Sequence, residues 1–483
     1  MTTSPTDTGS APTRNAASSY ADQVPVLNRS LAGTRPAAPV RIVHLGLGNF
    51  HRAHQAWYTA HADDAADWGI AAFTGRRPDA AADLAPQDGL YTLITRSATE
   101  DRFEIIEAIS AVHASTEHDR LLDYFRRPEV AVVTITVTEA AYLRGPDGHL
   151  DLHHPGVDSD LKTLQTDLTA PVATLPARLA AGLAARRDAD AGPITILSCD
   201  NLPHNGAVAA AVVTDLAAEL DPDLRDWIAT EVDFATSMVD RITPATTDDD
   251  RSLVATELHY RDSSPVPTEP YTEWVMSGRF PAGRPAWQTA GATIVDDVTA
   301  YEQRKLTLLN GAHSLLAYTG SVRGHTTIDE AMGDVVCRDR VEAFWDEACP
   351  HLTLPQAELV DYREALTDRF TNPRVRHQLS QIAADGSIKL PVRVVPSLLA
   401  ERSAGRLPIG GATAVAAWIW HLRGRSVPVN DPGATAARTA AAGADASRDV
   451  LTVLDPRLGS DPDLVDLVNT QLDLLDPGPD HTA

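Results

Sequence analysis

The chain has 483 residues, of which 43% are hydrophobic, and its formal net charge is −25 at pH 7. This composition supports two or three domains with sizeable cores and argues against global disorder. The acidic balance argues against nucleic acid or an anionic membrane as the main partner, because both require a basic surface.

The first 37 residues are rich in Ser, Thr, Ala and Pro and lack the apolar segment of a signal peptide, so residues 1–37 are predicted to form a flexible tail. The longest helix-like apolar stretch, residues 414–420, is far too short to span a bilayer. The three cysteines are widely spaced, which predicts free thiols rather than a disulfide framework or a zinc cluster. Together these features predict a soluble cytoplasmic protein.

Residues 38–294 have the pattern of an α/β domain. Apolar β-branched runs alternate with alanine-rich helical patterns, which indicates a mostly parallel sheet of the Rossmann type. The predicted strands are 39–48, 68–75, 131–138 and 193–201, and the predicted helices are 50–65 and 175–192.

Residues 295–483 are predicted to form a mostly α-helical domain. Helical periodicity covers residues 300–318, 327–348, 355–369, 374–384, 392–404 and 411–423. The small and polar stretch 430–449 is predicted to be either a linker or a marginal helix. We expect a substrate site between this domain and the first one, since clefts commonly form at domain boundaries.

Two glycines in a GxG pattern, Gly46 and Gly48, follow the first predicted strand. A glycine turn between a strand and a helix lets a pyrophosphate approach the backbone, although a plain tight turn has the same pattern. The third glycine of the usual fingerprint is replaced by His51. Arg52, one helical turn further on, either adds positive charge to a phosphate site or is simply solvated.

Charged residues after the second predicted strand bear on the choice of dinucleotide. Asp79 is placed to bind the adenosine ribose hydroxyls and to repel a 2′-phosphate, which favours NAD over NADP. Arg76 and Arg77 stand beside it and would have the opposite effect. NAD is the expected cofactor on this chemistry.

Polar residues follow the fourth predicted strand, at the edge where α/β sheets place their ligands. Among them are Asn201, His204 and Asn205. Asparagine amides can donate hydrogen bonds to a developing oxyanion, but polar turn residues that satisfy the backbone are an equally good interpretation. Further along, Asp240 stands beside Arg241 just before a turn, a pattern typical of a structural ion pair.

Only three lysines occur in the chain, and one of them, Lys305, lies in a short run with Glu302, Asn310 and His313. If residues 302–316 form one α-helix, 100° per residue places these four side chains within an arc of about 140°. A lysine amine can lose its proton, which a guanidinium cannot, and apolar neighbours on the same face would lower its pKa. The alternative is an ordinary helix with a surface lysine and a satisfied histidine.

Six segments agree in order and spacing with one known family: HLGLGNFHRAHQA, TEAAY, SCDNLPHNG, MVDRITP, GRPAW and KLTLLNGAHSLLAY. From about residue 25 to about residue 425 the chain resembles the polyol-specific long-chain dehydrogenases, which include mannitol 2-dehydrogenase and fructuronate reductase. The resemblance implies a Rossmann-type domain followed by a mostly helical domain, with NAD as the cofactor and no zinc or other metal.

The resemblance also implies roles for individual residues. Lys305 matches the family's general base, and Asn201 and Asn310 match the two amides that hold the reacting oxygen. His313 matches the residue that orients the substrate. The carboxylates that assist proton exchange with solvent are matched by Glu302 and Asp240.

Binding positions follow from the same motifs. The residues matching cofactor-binding positions are Gly46, Gly48, Asn49, Phe50, Arg52, Asp79, Thr138 and Glu139. The residues matching substrate-facing positions of the second domain are Arg376, His377 and Lys389.

We therefore predict an NAD-dependent dehydrogenase that interconverts a linear polyol and its 2-ketose, with D-mannitol and D-fructose as the first choice. Fructuronate reductase (D-mannonate oxidoreductase) is the main rival, because Arg374, Arg376 and Lys389 would suit a carboxylate. Mannitol 1-phosphate is a third option, and a catalytically silent NAD-binding sensor is the alternative from a different class. A small-molecule substrate and a monomeric chain are expected.

Overall fold

The structure is a computed structural model in which residues 23–75 and 77–475 are described. These residues form two compact units, one comprising residues up to 96 together with 100–296, the other comprising 97–99 and the residues from 297 onward. The boundary predicted after residue 294 falls close to this division. Within the described ranges, no helix is both long and apolar enough to cross a lipid bilayer.

The first unit is built on eleven strands among its described residues. In chain order they are β1 (Val40–Leu45), β2 (Gly69–Phe73), β3 (Tyr91–Arg96), β4 (Asp101–Ile106), β5 (Ile109–His113), β6 (Val132–Ile135), β7 (Ile194–Ser198), β8 (Val232–Asp240), β9 (Val266–Thr268), β10 (Glu273–Ser277) and β11 (Thr293–Ile294). Eight of them form one sheet in the order β11-β10-β8-β7-β6-β1-β2-β5. Every neighbouring pair from β5 to β8 is parallel, and β10 runs antiparallel to β8.

The central strands are buried on both faces, and this is why they read as continuous apolar runs. Every residue of β2, β6 and β7 is buried. Strand β1 lies between β2 and β6, so the chain leaves it toward one side of the sheet and later returns on the other. Such a change of direction creates a crevice at the carboxyl ends of the strands, where α/β folds bind their ligands. The predicted glycine turn stands at this point.

Helices connect the strands and cover the sheet. Those of the first unit are Arg29–Ala32, Asn49–Ala53, Gln55–His61, Asp79–Leu84, His118–Phe125, Pro155–Thr166, Leu175–Asp188, Asn205–Leu220, Pro222–Glu231 and Asp248–Leu258. The helix predicted over 50–65 is interrupted at His54, whose φ of −119° and ψ of −89° are not helical. The helix predicted over 175–192 ends at Asp188.

Two parts of the first unit differ from the sequence-based prediction. Strands β4, β3 and β9 form a separate three-stranded sheet that periodicity did not indicate. The predicted flexible tail lies outside the described residues up to residue 22. Further on, Leu27 is fully buried and its backbone N–H donates to the carbonyl of Arg261, so a loose tail does not describe this part.

The second unit is helical. Besides a π-helical segment, Lys305–Gly311, its described helices are Thr299–Arg304, Ala312–Val322, Ile328–Gly333, Val335–Ala348, Gln356–Phe370, Leu379–Ile382, Gly386–Arg393, Val395–Ser403, Ile409–Leu422, Thr435–Ala441, Ala446–Leu454, Pro456–Gly459 and Pro462–Leu475. The helix Ile409–Leu422 is buried at every position after its first residue and forms the centre of the unit.

One prediction for the second unit was inaccurate, and for another the structure decides between the two alternatives. Only Leu379–Ile382 is helical within the predicted helix 374–384, because residues 373–375 form a turn and the extended residue Gln378 bridges Thr327. The stretch 430–449, predicted as a linker or a marginal helix, contains Thr435–Ala441 and the start of a second helix.

Candidate active site

The two glycines of the turn after β1 serve different purposes. Gly46 has φ of +114°, and a Cβ added there would lie 2.0 Å from the carbonyl oxygen of Thr136. A side chain is therefore excluded at this position. Gly48 is extended, and the nearest atom to an added Cβ, the Gly46 carbonyl oxygen, is 3.6 Å away. The space over Gly48 is thus free of protein atoms and open to a ligand.

A cavity of about 1160 Å³ lies over this turn within the first unit. Six of the predicted cofactor-binding residues line it: Gly46, Gly48, Asn49, Arg52, Asp79 and Thr138. Two others lie elsewhere. The ring of Phe50 stacks on His54 with centroids 5.0 Å apart, and Glu139 lines a separate cavity of about 500 Å³. The larger cavity exceeds the roughly 300–1,000 Å³ of a typical small-molecule site, so it has room for an extended ligand such as a dinucleotide.

Arg52 lines the cavity, but most of its donors are used within the protein. Its Nε donates to the Gly48 carbonyl at 3.3 Å, and its Nη2 donates to Asn49 Oδ1 at 2.7 Å. Its Nη1 donates to the carbonyl and, at 2.9 Å, to the hydroxyl of Ser264. Asn49 in turn donates to Thr246 Oγ1 at 3.0 Å. Arg52 therefore fastens the glycine turn to the segment before β9, a role that its sequence position did not reveal.

His51 replaces the third glycine of the dinucleotide fingerprint by packing its ring flat on His44 of β1, with centroids 3.3 Å apart. Both rings are buried, and burial lowers the pKa of His44 to about 3, so this imidazole is neutral. His44 bridges the hydroxyls of Thr134 and Thr136 at 2.8 and 3.0 Å. Thr136 also donates to the Gly46 carbonyl at 2.9 Å. Helix and strand therefore meet through stacked rings where a glycine usually permits close packing.

Two charged residues of opposite sign after β2, Arg77 and Asp79, line the same cavity. Asp79 is the first residue of the helix Asp79–Leu84, its side chain is exposed, and it lines the same cavity as Arg77. Arg76 lies outside the described residues. Two further residues of this cavity, His118 and Arg178, were not recognised from the sequence.

The polar segment after β7 combines a structural asparagine with an exposed one. Asn205 is fully buried, and its amide donates to the carbonyls of Asp200 and Ser237 at 3.1 and 2.9 Å. Its Oδ1 accepts the Ser237 N–H at 3.1 Å, so Asn205 joins the end of β7 to β8. Asn201 is exposed in the turn between them. Burial raises the pKa of Asp200, whose carboxylate accepts a hydrogen bond from Tyr142.

Asp240 ends strand β8, the neighbour of β7 in the sheet, and Arg241 follows it. Asp240 is the last residue of β8 and is 6% exposed. The guanidinium of Arg241 donates to the carbonyls of Ala53 and Glu269 and lies over the ring of Trp57. Burial lowers the pKa of Arg241 to about 10. Arg241 therefore has a structural role, while Asp240 stands at the carboxyl end of a central strand.

The four residues around Lys305 lie on a helix that changes its winding. Glu302 is buried in the α-helix Thr299–Arg304, the segment Lys305–Gly311 is π-helical, and His313 lies in the α-helix Ala312–Val322. The prediction of one regular α-helix was therefore wrong for this segment. In an α-helix, Lys305 and Asn310 would be about 140° apart, whereas a π-helix, with hydrogen bonds from i to i+5, stacks residues five apart on one face. By this geometry, positions 305 and 310 lie closer to one face of the helix than they would in a regular α-helix.

Side chains from other helices stabilise the π-helical segment. The indole of Trp345 donates to the Leu308 carbonyl at 2.9 Å. The Asn310 carbonyl accepts hydrogen bonds from Ser314 Oγ at 3.1 Å and from Arg393 at 3.4 Å. These contacts satisfy backbone carbonyls where the winding changes, and they hold Asn310 in place.

His313 is buried next to a second imidazole. Its ring lies 4.7 Å from the ring of Phe370 and 5.3 Å from that of His377, which it meets edge-on. Burial, followed by the charge of Lys389, lowers the pKa of His377. The structure thus brings together two residues that the sequence assigned to the substrate site from separate motifs.

Lys389 lies on the helix Gly386–Arg393, one turn before Arg393. Its amine donates to the Ala384 carbonyl at 2.6 Å, and burial, followed by the charge of Arg393, lowers its pKa. Arg376, the third predicted substrate-facing residue, has an exposed side chain. Arg393 was missed by sequence reasoning, although its spacing of four from Lys389 on a helix was a usable signal.

Comparison with known proteins agrees with the motifs. The family model described as mannitol dehydrogenase Rossmann domain matches residues 40–289, and the mannitol dehydrogenase C-terminal domain matches residues 297–475. D-mannonate oxidoreductase of Escherichia coli (strain K12) is 36% identical over 407 residues, which cover 81% of this chain and 83% of the relative. Mannitol 2-dehydrogenase of Cereibacter sphaeroides is 36% identical over 417 residues, covering 83% and 86%.

A solved structure extends this similarity to the fold. The Pseudomonas fluorescens mannitol 2-dehydrogenase in ternary complex with NAD and D-mannitol aligns with a TM-score of 0.74 at 34% identity, covering 95% of this chain and 96% of that chain. The resemblance inferred from the motifs, the N-terminal Rossmann domain and the helical C-terminal domain are confirmed. The chain belongs to the mannitol dehydrogenase family.

Proposed function

We propose that the chain is an NAD-dependent oxidoreductase that interconverts a linear polyol and its 2-ketose without a metal ion, with D-mannitol and D-fructose as its substrate pair. The observation that supports this proposal is the π-helical segment Lys305–Gly311, because π-helical winding brings positions five apart, here a lysine and an asparagine, toward one face. The names of the similar proteins, which include mannitol 2-dehydrogenase, support the choice of substrate.

Lys305 is the general base in this proposal. Oxidation of a secondary alcohol removes a hydride from carbon and a proton from the hydroxyl, and the neutral Lys305 amine accepts that proton. In the reverse direction the protonated amine returns it to the oxygen. Glu302, buried one helical turn before Lys305, and Asp240 assist the exchange of this proton with solvent.

Two amides and an imidazole position the reacting carbon. Asn310 and Asn201 donate hydrogen bonds to the oxygen that gains negative charge as the proton leaves. The fixed backbone of Asn310, held by Ser314 and Arg393, preorganises one of these donors. His313, packed against Phe370, orients the substrate through a neighbouring hydroxyl.

NAD is the proposed cofactor, and a bound nicotinamide supplies the hydride acceptor. The open space over Gly48 and the cavity of about 1160 Å³ fit a dinucleotide whose pyrophosphate approaches the glycine turn. The exposed carboxylate of Asp79 binds the ribose hydroxyls and disfavours a 2′-phosphate. The NAD in the similar Pseudomonas fluorescens structure supports this choice.

Reduction of a sugar acid such as D-fructuronate is the second candidate. It is favoured by the pair of cations on the helix Gly386–Arg393, since Lys389 and Arg393 stand beside the segment that carries Asn310. Both cations have a pKa lowered chiefly by burial, and a carboxylate would offset their desolvation. D-mannonate oxidoreductase of Escherichia coli is among the similar proteins.

The test is NADH oxidation by the purified chain with D-fructose and D-fructuronate side by side, repeated with NADPH. Turnover of D-fructose with NADH supports the proposal, and turnover of D-fructuronate alone transfers it to the second candidate. Lys305→Met should lower kcat by about 10²–10⁴-fold while NADH still binds. Lys162→Met is the matched control, because Lys162 is 70% exposed and forms a surface ion pair with Asp158.

An inactive dinucleotide-binding sensor predicts a different pattern. The parent chain would then bind NADH without oxidising it in the presence of any polyol, ketose or sugar acid. A Lys305→Met variant that keeps more than a tenth of the parent kcat would also contradict the proposed base.

A further inference from the structure

An arginine in the large cavity of the first unit is buried with two of its three guanidinium nitrogens unpaired among the described residues. Arg178 lies in the first turn of the helix Leu175–Asp188, is 6% exposed, and lines the cavity that contains the glycine turn. Neither its Nε nor its Nη2 has a hydrogen-bond partner within residues 23–75 and 77–475. A guanidinium that is withdrawn from water without acceptors is strongly unfavourable, so its position calls for a partner from outside the protein.

The same helix contains an arginine that shows how a buried guanidinium is normally satisfied. Arg186 is fully buried, and its nitrogens donate to the backbone carbonyls of Gly192, Phe125, Arg127, Ala191 and Pro193 at 2.8 to 3.2 Å. Burial lowers the pKa of both Arg178 and Arg186 to about 10. The two side chains are thus similarly desolvated, but the protein provides acceptors for only one of them.

The charge of Arg178 is not compensated by its neighbours in the described part of the cavity. His118 lines the same cavity with both ring nitrogens lacking partners, and burial, followed by the charge of Arg178, lowers its pKa. Asp160 also lines it, but its carboxylate accepts the backbone N–H groups of Ala173 and Thr174 at 3.1 and 2.7 Å. The guanidinium of Arg178 is therefore the group in this part of the cavity that an oxyanion would engage.

The location of Arg178 indicates which part of a dinucleotide it faces. The central carbon of its guanidinium is 6.0 Å from the ring centre of Phe73, the last residue of β2. In Rossmann folds the carboxyl end of the second strand is where the adenosine ribose binds, while the glycine turn after the first strand receives the pyrophosphate. Arg178 thus stands on the adenosine side of the cavity.

We propose that Arg178 is a phosphate-binding residue of this cavity, which holds an oxyanion of the dinucleotide beside the carboxyl end of β2. The inference rests on the proposed function, in which the cavity takes a dinucleotide. A guanidinium matches phosphate because its parallel N–H groups can engage two oxygens at once. In NAD, the proposed cofactor, the oxyanion belongs to the pyrophosphate; a 2′-phosphate at the same place is the other source that the titration distinguishes.

Calorimetric titration of the full chain with adenosine, 5′-ADP and 2′,5′-ADP tests the proposal independently of turnover. Arg178→Met is expected to weaken binding of at least one phosphate probe by about tenfold or more and to leave adenosine within about twofold, while Arg178→Lys recovers part of the loss. Loss confined to 2′,5′-ADP identifies the 2′-phosphate, and loss for both probes identifies the pyrophosphate. No loss, or an equal loss for all three ligands, overturns the proposal.

A stability measurement separates phosphate binding from a structural role. Because Arg178→Met removes an unpaired buried charge, its melting temperature without ligand should equal or exceed that of the parent, whereas Arg186→Met should melt lower. A large decrease for Arg178→Met, or failure to fold, would mean that the guanidinium is structural and would refute the proposal. The parent alone must also bind a phosphate probe more tightly than adenosine. If no probe and no NADH binds the parent, the proposed function fails as well.

Discussion

Replacing Gly46 with alanine should destabilise the first unit strongly, whereas the same change at Gly48 should not. A residue with a side chain at φ of +114° is strained by about 1–3 kcal/mol. The added Cβ would also lie 2.0 Å from the Thr136 carbonyl oxygen, and relieving such overlap costs about 1–3 kcal/mol. Together these effects amount to about 2–6 kcal/mol. At about 2–4 °C per kcal/mol, we expect a melting temperature lower by roughly 4–24 °C.

Gly48→Ala is the matched control two residues away. Its φ of −139° suits alanine, and the nearest atom to the added Cβ is 3.6 Å away. Its stability should be unchanged or higher by about 0.4–1 kcal/mol, because alanine restricts the unfolded chain. The new methyl group enters the cavity, however, and should weaken NADH binding.

Thermal melts followed by circular dichroism and fluorescence titration with NADH measure the two effects separately. The reasoning is refuted if Gly46→Ala melts within about 2 °C of the parent, which on the scale above is less than about 1 kcal/mol. It is also refuted if Gly48→Ala loses as much stability as Gly46→Ala. A Gly48→Ala variant that binds NADH as the parent does would show that the dinucleotide does not approach this turn.

Three further predictions follow from single contacts. Asn205→Ala removes three buried hydrogen bonds and should lower stability by about 2–4 kcal/mol in thermal melts, whereas Asn201→Ala should change it by under about 0.5 kcal/mol yet reduce turnover by about 10²-fold. Arg52→Leu leaves the acceptors around the glycine turn without a donor, so it should lower the melting temperature even without ligand, by an amount equivalent to about 2–4 kcal/mol. Burial raises the pKa of Asp334, but hydrogen bonds, chiefly from Arg323, lower it further, and the net shift is downward. A carboxylate with a lowered pKa stabilises the fold at pH values above its unfolded pKa of about 3.9 and loses this contribution on acidification. Asp334→Asn should therefore melt at a lower temperature than the parent at pH 7, and the two melting temperatures should converge below about pH 4. A difference in melting temperature that does not change with pH would contradict this.

The α/β pattern and the position of the glycine turn could be predicted because their causes are local. Strands β2, β6 and β7 are buried on both faces, so burial alone makes them continuous apolar runs in the sequence. The Gly46 requirement is local only in part: its φ of +114° belongs to the turn itself, whereas the close approach of Thr136 arises from the tertiary structure. The family motifs added the roles of Lys305 and its neighbours, which remain proposals.

Partners that are distant in the sequence explain what was missed. The role of Arg52 depends on Ser264, which is 212 residues away, and the stacking of His51 depends on how a helix settles on β1. Arg178 and Arg186 look alike in the sequence, eight residues apart on one helix. Only the folded chain shows that carbonyls surround Arg186 and that Arg178 faces the cavity.

The helical stretch that carries Lys305 has both a local and a tertiary cause. Periodicity predicted a helix here and placed four reactive side chains along it, because apolar spacing is written into the sequence. The π-helical segment depends on Trp345 and Arg393, which bind its carbonyls from 37 and 83 residues further along the chain. The sequence by itself determined that these four residues share one helical stretch. The tertiary contacts decided that part of this stretch winds as a π-helix, which brings positions 305 and 310 closer to one face. The physical reason is that side chains from other helices satisfy backbone groups where the winding changes.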